Sequence, residues 1–149
     1  MHAIDLITAD VPPLRPQDDM TRALDWLEEF KVAHLPVVED GRLVGMVHEK
    51  DVVDRGDPRG TVKGVMDQVE IPFIRGNQHI YDVMRLFTER GLTVVPVLDE
   101  MGRYLGAITE HEALKRLAEV ANIHEPGSIV VLEMNPIDYS LHQIARIVE

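Results

Sequence analysis

The sequence predicts an α/β protein in which two β-α-β-β-α repeats pack around a pseudo-twofold axis and a strand–helix extension follows. Three observations predict this fold. Matched blocks recur about 60 residues apart, short apolar strands alternate with helical stripes inside each block, and glycine or proline marks the junctions. One repeat is too small to bury a sheet face and two helices, so we expect the two copies to share a core.

Internal duplication is the strongest feature of the chain. Residues 34–53 match residues 94–114 with one residue inserted in the turn, and the match continues upstream. The paired positions are Pro12/Pro72, Leu14/Ile74, Arg15/Arg75, Pro36/Pro96, Gly41/Gly102, Gly45/Gly106 and Glu49/Glu110. We therefore expect repeat 1 with its linker at 1–60, repeat 2 at 61–122 and a tail at 123–149.

Each repeat opens with a short extended segment, at 12–15 and at 72–75, where prolines suit a strand edge or start. A helix follows, which Asp18 or Asp19 can cap in the first copy and which Gly91 ends in the second. The apolar helical stripes are Met20, Ala23, Leu24 and Leu27 in the first copy, and Ile80, Val83, Met84 and Phe87 in the second.

Two apolar strands and a second helix complete each repeat. A hairpin turn at 39–41 joins the strands of the first copy, and residues 55–60 form a Gly/Pro linker. The predicted ranges are strands 35–38, 43–47, 94–98 and 104–108, with helices near 49–54 and 110–120.

The tail has its own pattern. Residues 128–134 are typical of a strand, residues 135–139 of a loop, and Ser140 can cap a helix with apolar residues at 141, 144, 145 and 148.

The composition narrows the classes of function. The net charge is −11, from 15 basic and 26 acidic residues, which disfavours nucleic-acid binding. The absence of cysteine excludes disulfide scaffolds, cysteine nucleophiles and thiolate zinc sites. No apolar run reaches the roughly 20 residues of a membrane helix, and the N-terminus does not resemble a signal peptide. We expect a cytoplasmic protein that does not associate with membranes.

Motifs of catalysis do not stand out. The sequence has no phosphate-binding glycine loop, no GxSxG elbow and no HExxH zinc motif. The seven histidines are scattered, and no i, i+4 pair of metal ligands converges. We therefore predict no metal site and no enzymatic activity.

The repeated hairpins resemble those of tandem CBS domains, also called a Bateman module. The resemblance lies in 35–38 with 41–45 and in 95–99 with 102–106, and it covers about residues 8–120. It implies a regulatory unit that binds adenosine-containing ligands, such as AMP, ADP, ATP or S-adenosylmethionine, in two inter-repeat clefts. It also implies a homodimer paired through helices, for which we expect Trp26, Phe30, Leu86, Leu114 and Leu117 to supply apolar surface.

The resemblance also implies which residues form the clefts. The first cleft would use Met46, His48 and Asp51 with Ile74, Thr93 and Val94, and the second Ala107, Thr109 and Glu112 with Leu14, Ala33 and His34. In the family a hydroxyl residue is often followed three residues later by a ribose-binding Asp. In the first cleft His48 replaces the hydroxyl, but Asp51 keeps the ribose-binding acid. In the second cleft Glu112 replaces that Asp. We therefore favour the first cleft. Arg15 and Arg75 would meet phosphates, or be solvated charges.

Other readings of the sequence stay open. The tail resembles the opening of an ACT domain, as in acetoin-utilisation regulators, which would make the protein an amino-acid sensor if a longer chain completed it. The unusual His48 and Glu112 also suit a structural or oligomerisation module with vestigial clefts.

Overall fold

The computed structural model describes residues 1–121, and the predicted strand and helix of the tail lie outside the described residues. The elements are α1 (Met20–Phe30), β1 (His34–Glu39), β2 (Arg42–His48), α2 (Glu49–Arg55), β3 (Ile74–Arg75), α3 (Ile80–Arg90), β4 (Val94–Leu98), β5 (Tyr104–Thr109) and α4 (Glu110–Val120). Two short 3₁₀ turns, Ala3–Leu6 and Val62–Gly64, precede the two copies of the fold. None of the described helices has the length and hydrophobicity to cross a bilayer.

The helices begin and end at residues that the sequence marks. The carboxylate of Asp19 accepts a hydrogen bond from the Arg22 amide at 2.7 Å at the start of α1, and Gly91 ends α3 with a φ of 63°. The buried stripe of α1 is narrower than predicted. Leu24 belongs to the predicted apolar stripe but is 41% exposed, whereas the other three residues of the stripe are buried.

The sheets repeat the same register in both halves, which confirms the duplication. β1 and β2 are antiparallel, as are β4 and β5. Leu14 forms a parallel bridge with Val37, and Ile74 of β3 pairs in parallel with Val97, each 60 positions later. The two-repeat α/β fold that the sequence predicts is therefore confirmed.

The first residues of each repeat cross to the other repeat. We call residues 1–11 the first leading segment and residues 61–71 the second. The first lies on repeat 2, where the Thr8 amide donates to the Ala107 carbonyl at 3.0 Å. The second lies on repeat 1, where Asp67 and Met46 exchange backbone hydrogen bonds of 2.8 and 2.9 Å. This exchange was not predicted from the sequence.

The exchange joins the two halves. Ala3 and Leu6 of the first leading segment are fully buried in the core of repeat 2. Val94 and Ala107 of repeat 2 lie in the core cluster of repeat 1. Because each core borrows side chains from the other half, the repeats form one packed unit.

Two matched glycines allow the crossings. Gly45 of β2 and Gly106 of β5 occupy the same position in the two copies. A Cβ atom on Gly45 would lie 2.8 Å from the Met66 sulfur, and one on Gly106 would overlap the Cγ2 atom of Ile7. The Gly-x-hydrophobic pattern of each hairpin therefore leaves room for the leading segment that crosses it.

A buried hydroxyl in β5 gives a prediction about stability. The Tyr104 hydroxyl has no hydrogen-bond partner among residues 1–121, and burial raises the pKa of Tyr104 above its ordinary value. Since an unsatisfied buried hydroxyl costs free energy, Tyr104→Phe should raise the free energy of unfolding by about 1 kcal/mol. Urea denaturation measures this, with Tyr81→Phe as the matched control because Tyr81 is 68% exposed. A Tyr104→Phe variant less stable than the parent would contradict the prediction.

Candidate functional site

A cavity of about 520 Å³ lies between the two repeats, and we call it the inter-repeat cavity. Its walls are the first leading segment, the end of α1 with the residues that follow it, and the first turn of α4, with Thr93 between them. Because the leading segment and α4 pack on repeat 2 while α1 belongs to repeat 1, the cavity lies at the seam of the duplication. It corresponds to the second of the two predicted clefts.

The first turn of α4 carries the polar groups expected of a ligand site. The Thr109 hydroxyl accepts a hydrogen bond from the Glu112 amide at 3.1 Å, which caps the helix. The hydroxyl proton can still be donated to a ligand. The Glu112 carboxylate also lines the cavity and lies 3.9 Å from Arg116 Nε, too far for a hydrogen bond. It therefore keeps lone pairs for a ligand hydroxyl.

Arg116 holds two walls of the cavity together. Its Nη2 donates to the carbonyl of Asp5 in the first leading segment at 3.1 Å, and its Nη1 lies 3.4 Å from the Glu119 carboxylate. The guanidinium thus links α4 to the segment that supplies Thr8, Asp10 and Val11 to the cavity.

The first predicted cleft has different side chains at the matched positions. His48 lies at the start of α2 where Thr109 lies in α4, but its side chain forms no capping hydrogen bond. Asp51 takes the place of Glu112, and its carboxylate forms an ion pair of 3.2 Å with Arg55. The acid of the first cleft is therefore already engaged within its own helix.

A histidine cluster lies where the repeats meet. The Ala33 amide donates to the Thr93 hydroxyl at 3.0 Å, and the Thr93 amide donates to His34 Nδ1 at 3.1 Å. Since the amide is a donor only, Nδ1 of His34 carries no proton and the neutral ring is protonated at Nε2. The His34 and His48 rings meet edge to face, with centroids 4.8 Å apart. Burial, and second the neighbouring His48, lower the pKa of His34 to about 4.

This cluster predicts a pH dependence of stability. Between pH 6.5 and 4 the unfolded chain protonates residue 34 while the folded chain keeps it neutral, so stability is full above pH 6.5 and falls as the pH drops through this window. The loss due to His34 is about 1–2 kcal/mol once screening of a partly exposed group is allowed for. The free energy of unfolding, measured by denaturation at several pH values across this range, should fall less steeply with decreasing pH for His34→Asn than for the parent.

His111→Asn is the matched control for that comparison, because His111 is exposed. It should keep the parent pH slope. Equal slopes for the parent and His34→Asn would show that His34 is not held neutral in the folded state.

The structure brings together only some of the predicted site residues. Thr109 and Glu112, which were predicted for the second cleft, line the cavity. Thr93 lines it too, although it was predicted for the first cleft, and Ala33 and His34 adjoin the cavity through their hydrogen bonds to Thr93. Five other predicted residues are buried and do not line the inter-repeat cavity; they are Leu14, Met46, Ile74, Val94 and Ala107. Their role as ligand contacts stays a prediction.

The two predicted phosphate ligands lie elsewhere. Arg15 lines a separate cavity of about 830 Å³ beside Trp26. Arg75 donates to the Asp99 carbonyl and stacks over the Phe73 ring, with Cζ 5.1 Å from the ring centroid. Neither arginine lines the inter-repeat cavity.

Sequence reasoning missed several lining residues. Thr8, Asp10 and Val11 come from the first leading segment, and Phe30 comes from the end of α1. A sequence feature that points to this segment was available: an offset of 60 pairs Asp10 with Glu70 and Val11 with Ile71, so the repeat begins before residue 12.

Comparison with known proteins decides the family. The family model for the CBS domain matches the chain twice, at residues 3–57 and 62–119. The chain belongs to the CBS-domain family. Its two CBS repeats are similar to Hypoxic response protein 1 of Mycobacterium tuberculosis, with 28% identity over 125 residues, covering 80% of this chain and 87% of that protein.

Solved structures share the CBS-pair fold. A CBS domain pair/ACT domain protein from Thermotoga maritima superposes with a TM-score of 0.70 at 24% identity, covering 80% of this chain and 98% of that one. The cytosolic domain of the Mg²⁺ channel MgtE, in complex with ATP, superposes with a TM-score of 0.64 at 27% identity, covering 77% of this chain and 48% of that one. The chain is thus a CBS-pair module of the regulatory kind, and residues 1–121 show no catalytic domain beside the two repeats.

Proposed function

We propose that the chain is a regulatory CBS-pair module that binds an adenosine-containing ligand in the inter-repeat cavity. One observation carries the proposal: Thr109, Glu112 and Phe30 all line one cavity of about 520 Å³ at the seam of the repeats. Small-molecule sites typically measure about 300–1,000 Å³, so a nucleoside fits the volume. The ATP complex of the related MgtE domain supports the ligand class.

Each lining group has a role in this proposal. Phe30 offers an aromatic surface for the base. The Glu112 carboxylate accepts hydrogen bonds from ribose hydroxyls, since its extra methylene relative to Asp lets it reach past its own helix turn. The Thr109 hydroxyl, which accepts a hydrogen bond from the Glu112 amide, donates its proton to the ligand. The second cleft therefore becomes the favoured site, in place of the first.

The signal would pass through a homodimer. Val53 and Leu114 occupy the same position in α2 and α4, and both are exposed, as is Leu24 of α1. Of the residues expected at the interface, Trp26, Phe30, Leu86 and Leu117 pack partly against the cores. The proposed contact therefore centres on Leu114 and Val53. Binding would shift the dimer geometry to the extent that the ligand prefers one state.

Light scattering tests the dimer directly. The parent chain at micromolar concentration should have twice the monomer mass, and Val53→Ser/Leu114→Ser should be monomeric with little loss of stability. A monomeric parent would contradict the dimer.

The setting of the module is also a proposal. The net charge of −11 fits a cytoplasmic regulator that binds neither nucleic acid nor membranes. Its regulated partner would be a protein.

A structural module with vestigial clefts is the second candidate. The first cleft favours it, because Asp51 is ion-paired with Arg55 and the His48 ring lies against His34. An amino-acid sensor would need an ACT domain completed from the tail.

A ligand panel separates these candidates. Thermal-shift measurements and calorimetry would compare adenosine, AMP, ADP, ATP, S-adenosylmethionine and NADH, each at millimolar concentration. We expect at least one adenosine compound to raise the melting temperature, because a ligand that binds only the folded state stabilises it. No shift with any compound would favour the structural module.

A further inference from the structure

The inter-repeat cavity has more acidic than basic side chains in its lining, and this charge bears on which adenosine-containing ligand it binds. We propose that this cavity selects nucleosides without a polyphosphate chain, and that it prefers a positively charged nucleoside such as a sulfonium to a nucleoside triphosphate. The inference rests on the proposed function, since it names the ligand class of the same site.

Carboxylates outnumber basic side chains in the lining. Asp10, Glu110 and Glu112 line the cavity, and only Lys31 and His111 oppose them as basic side chains. Asp10 and Glu110 form no ion pair within residues 1–121, and Glu112 has only the distant contact with Arg116. Their charges therefore act on whatever enters the cavity.

Phosphate-binding groups are placed elsewhere. Arg15 lines another cavity, and Arg75 is held by Asp99 and Phe73. The positive end of the α4 dipole points at the cavity, but Glu110 and Glu112 in its first turn offset it. A polyphosphate would meet carboxylates, and the nearby Arg116 guanidinium does not line the cavity and already contacts Asp5 and Glu119. A cationic group would instead gain attraction.

Calorimetry on the full chain tests this selection. S-adenosylmethionine and S-adenosylhomocysteine differ by one methyl group and the positive charge on sulfur, so the ratio of their affinities isolates the charge. We expect the sulfonium compound to bind about threefold tighter or more, which is the range of a single partly exposed charge interaction. ATP should bind at least about tenfold more weakly than adenosine, and both differences should shrink as ionic strength rises.

A charge-neutral variant and a matched control complete the test. Asp10→Asn/Glu110→Gln leaves Thr109 and Glu112 unchanged, and it should bring the two sulfur compounds to equal affinity and strengthen ATP binding. Asp25→Asn/Glu29→Gln removes as many exposed charges outside the cavity and should keep the parent ratios.

The outcomes separate the two proposals. If adenosine binds but ATP binds as tightly, or the two sulfur compounds bind equally, the charge selection is wrong and the nucleoside site stands. If no adenosine compound binds, both proposals fall.

Discussion

Replacing Gly106 by alanine is expected to lower the free energy of unfolding by about 2–4 kcal/mol, combining overpacking with backbone strain. Gly106 has a φ of 155°, which residues with side chains rarely adopt, and an added Cβ would overlap Ile7. Ile7 cannot move freely, because the flanking Leu6 is fully buried and the Thr8 amide is bonded to the Ala107 carbonyl. The strain therefore falls on the first leading segment.

Urea denaturation measures the loss, and hydrogen exchange locates it. Amides of residues 1–8 should exchange faster in Gly106→Ala, whereas those of the second leading segment should change less. Gly64→Ala is the matched control: no atom lies within 4 Å of its added Cβ, so its stability should change by less than about 0.5 kcal/mol. A Gly106→Ala variant as stable as the parent would show that the crossing is looser than described.

Glu112→Gln is expected to weaken adenosine binding by about 10- to 100-fold, because a hydrogen bond to a charged acceptor contributes about 1.5–3 kcal/mol. The amide keeps the size of the side chain but loses one acceptor oxygen and the charge. The neutral ligand adenosine is the probe, so that long-range charge effects stay small. Calorimetry gives the change in affinity.

Glu119→Gln is the control for this measurement. Glu119 lies on the same helix and contacts the same Arg116, but it does not line the cavity. Its variant should bind adenosine like the parent. Equal binding by Glu112→Gln and the parent would remove Glu112 from the ribose site.

The sequence predicted the repeat architecture because its evidence is local. Helix caps such as Asp19 and Gly91, turn residues such as Gly41, and apolar periodicity act over a few residues. The turn glycine and the apolar periodicity also appear in both copies. The predicted bounds of the four hairpin strands and of the helices near 49–54 and 110–120 therefore lie within one residue of the observed ones. Leu24 is exposed although it belongs to the predicted stripe, since helical spacing gives a face but not its width.

The site was harder to predict because it depends on tertiary packing. The first leading segment has no periodicity that reveals its crossing, and only the packing of Ala3 and Leu6 on repeat 2 brings Thr8 and Asp10 to the cavity. Arg15 shows the converse: its matched position in the repeats suggested a phosphate ligand, yet the strand start where it lies faces another cavity. The resemblance to tandem CBS domains thus pointed to Thr109 and Glu112 but not to the first leading segment or to Phe30.

A crystal structure of the full chain grown with adenosine tests the central claim most directly. It should show the base beside Phe30 and a ribose hydroxyl within hydrogen-bond distance of the Glu112 carboxylate, at the seam between the repeats. Saturating adenosine that leaves this cavity empty, or that occupies the cavity beside Trp26 instead, would contradict the account.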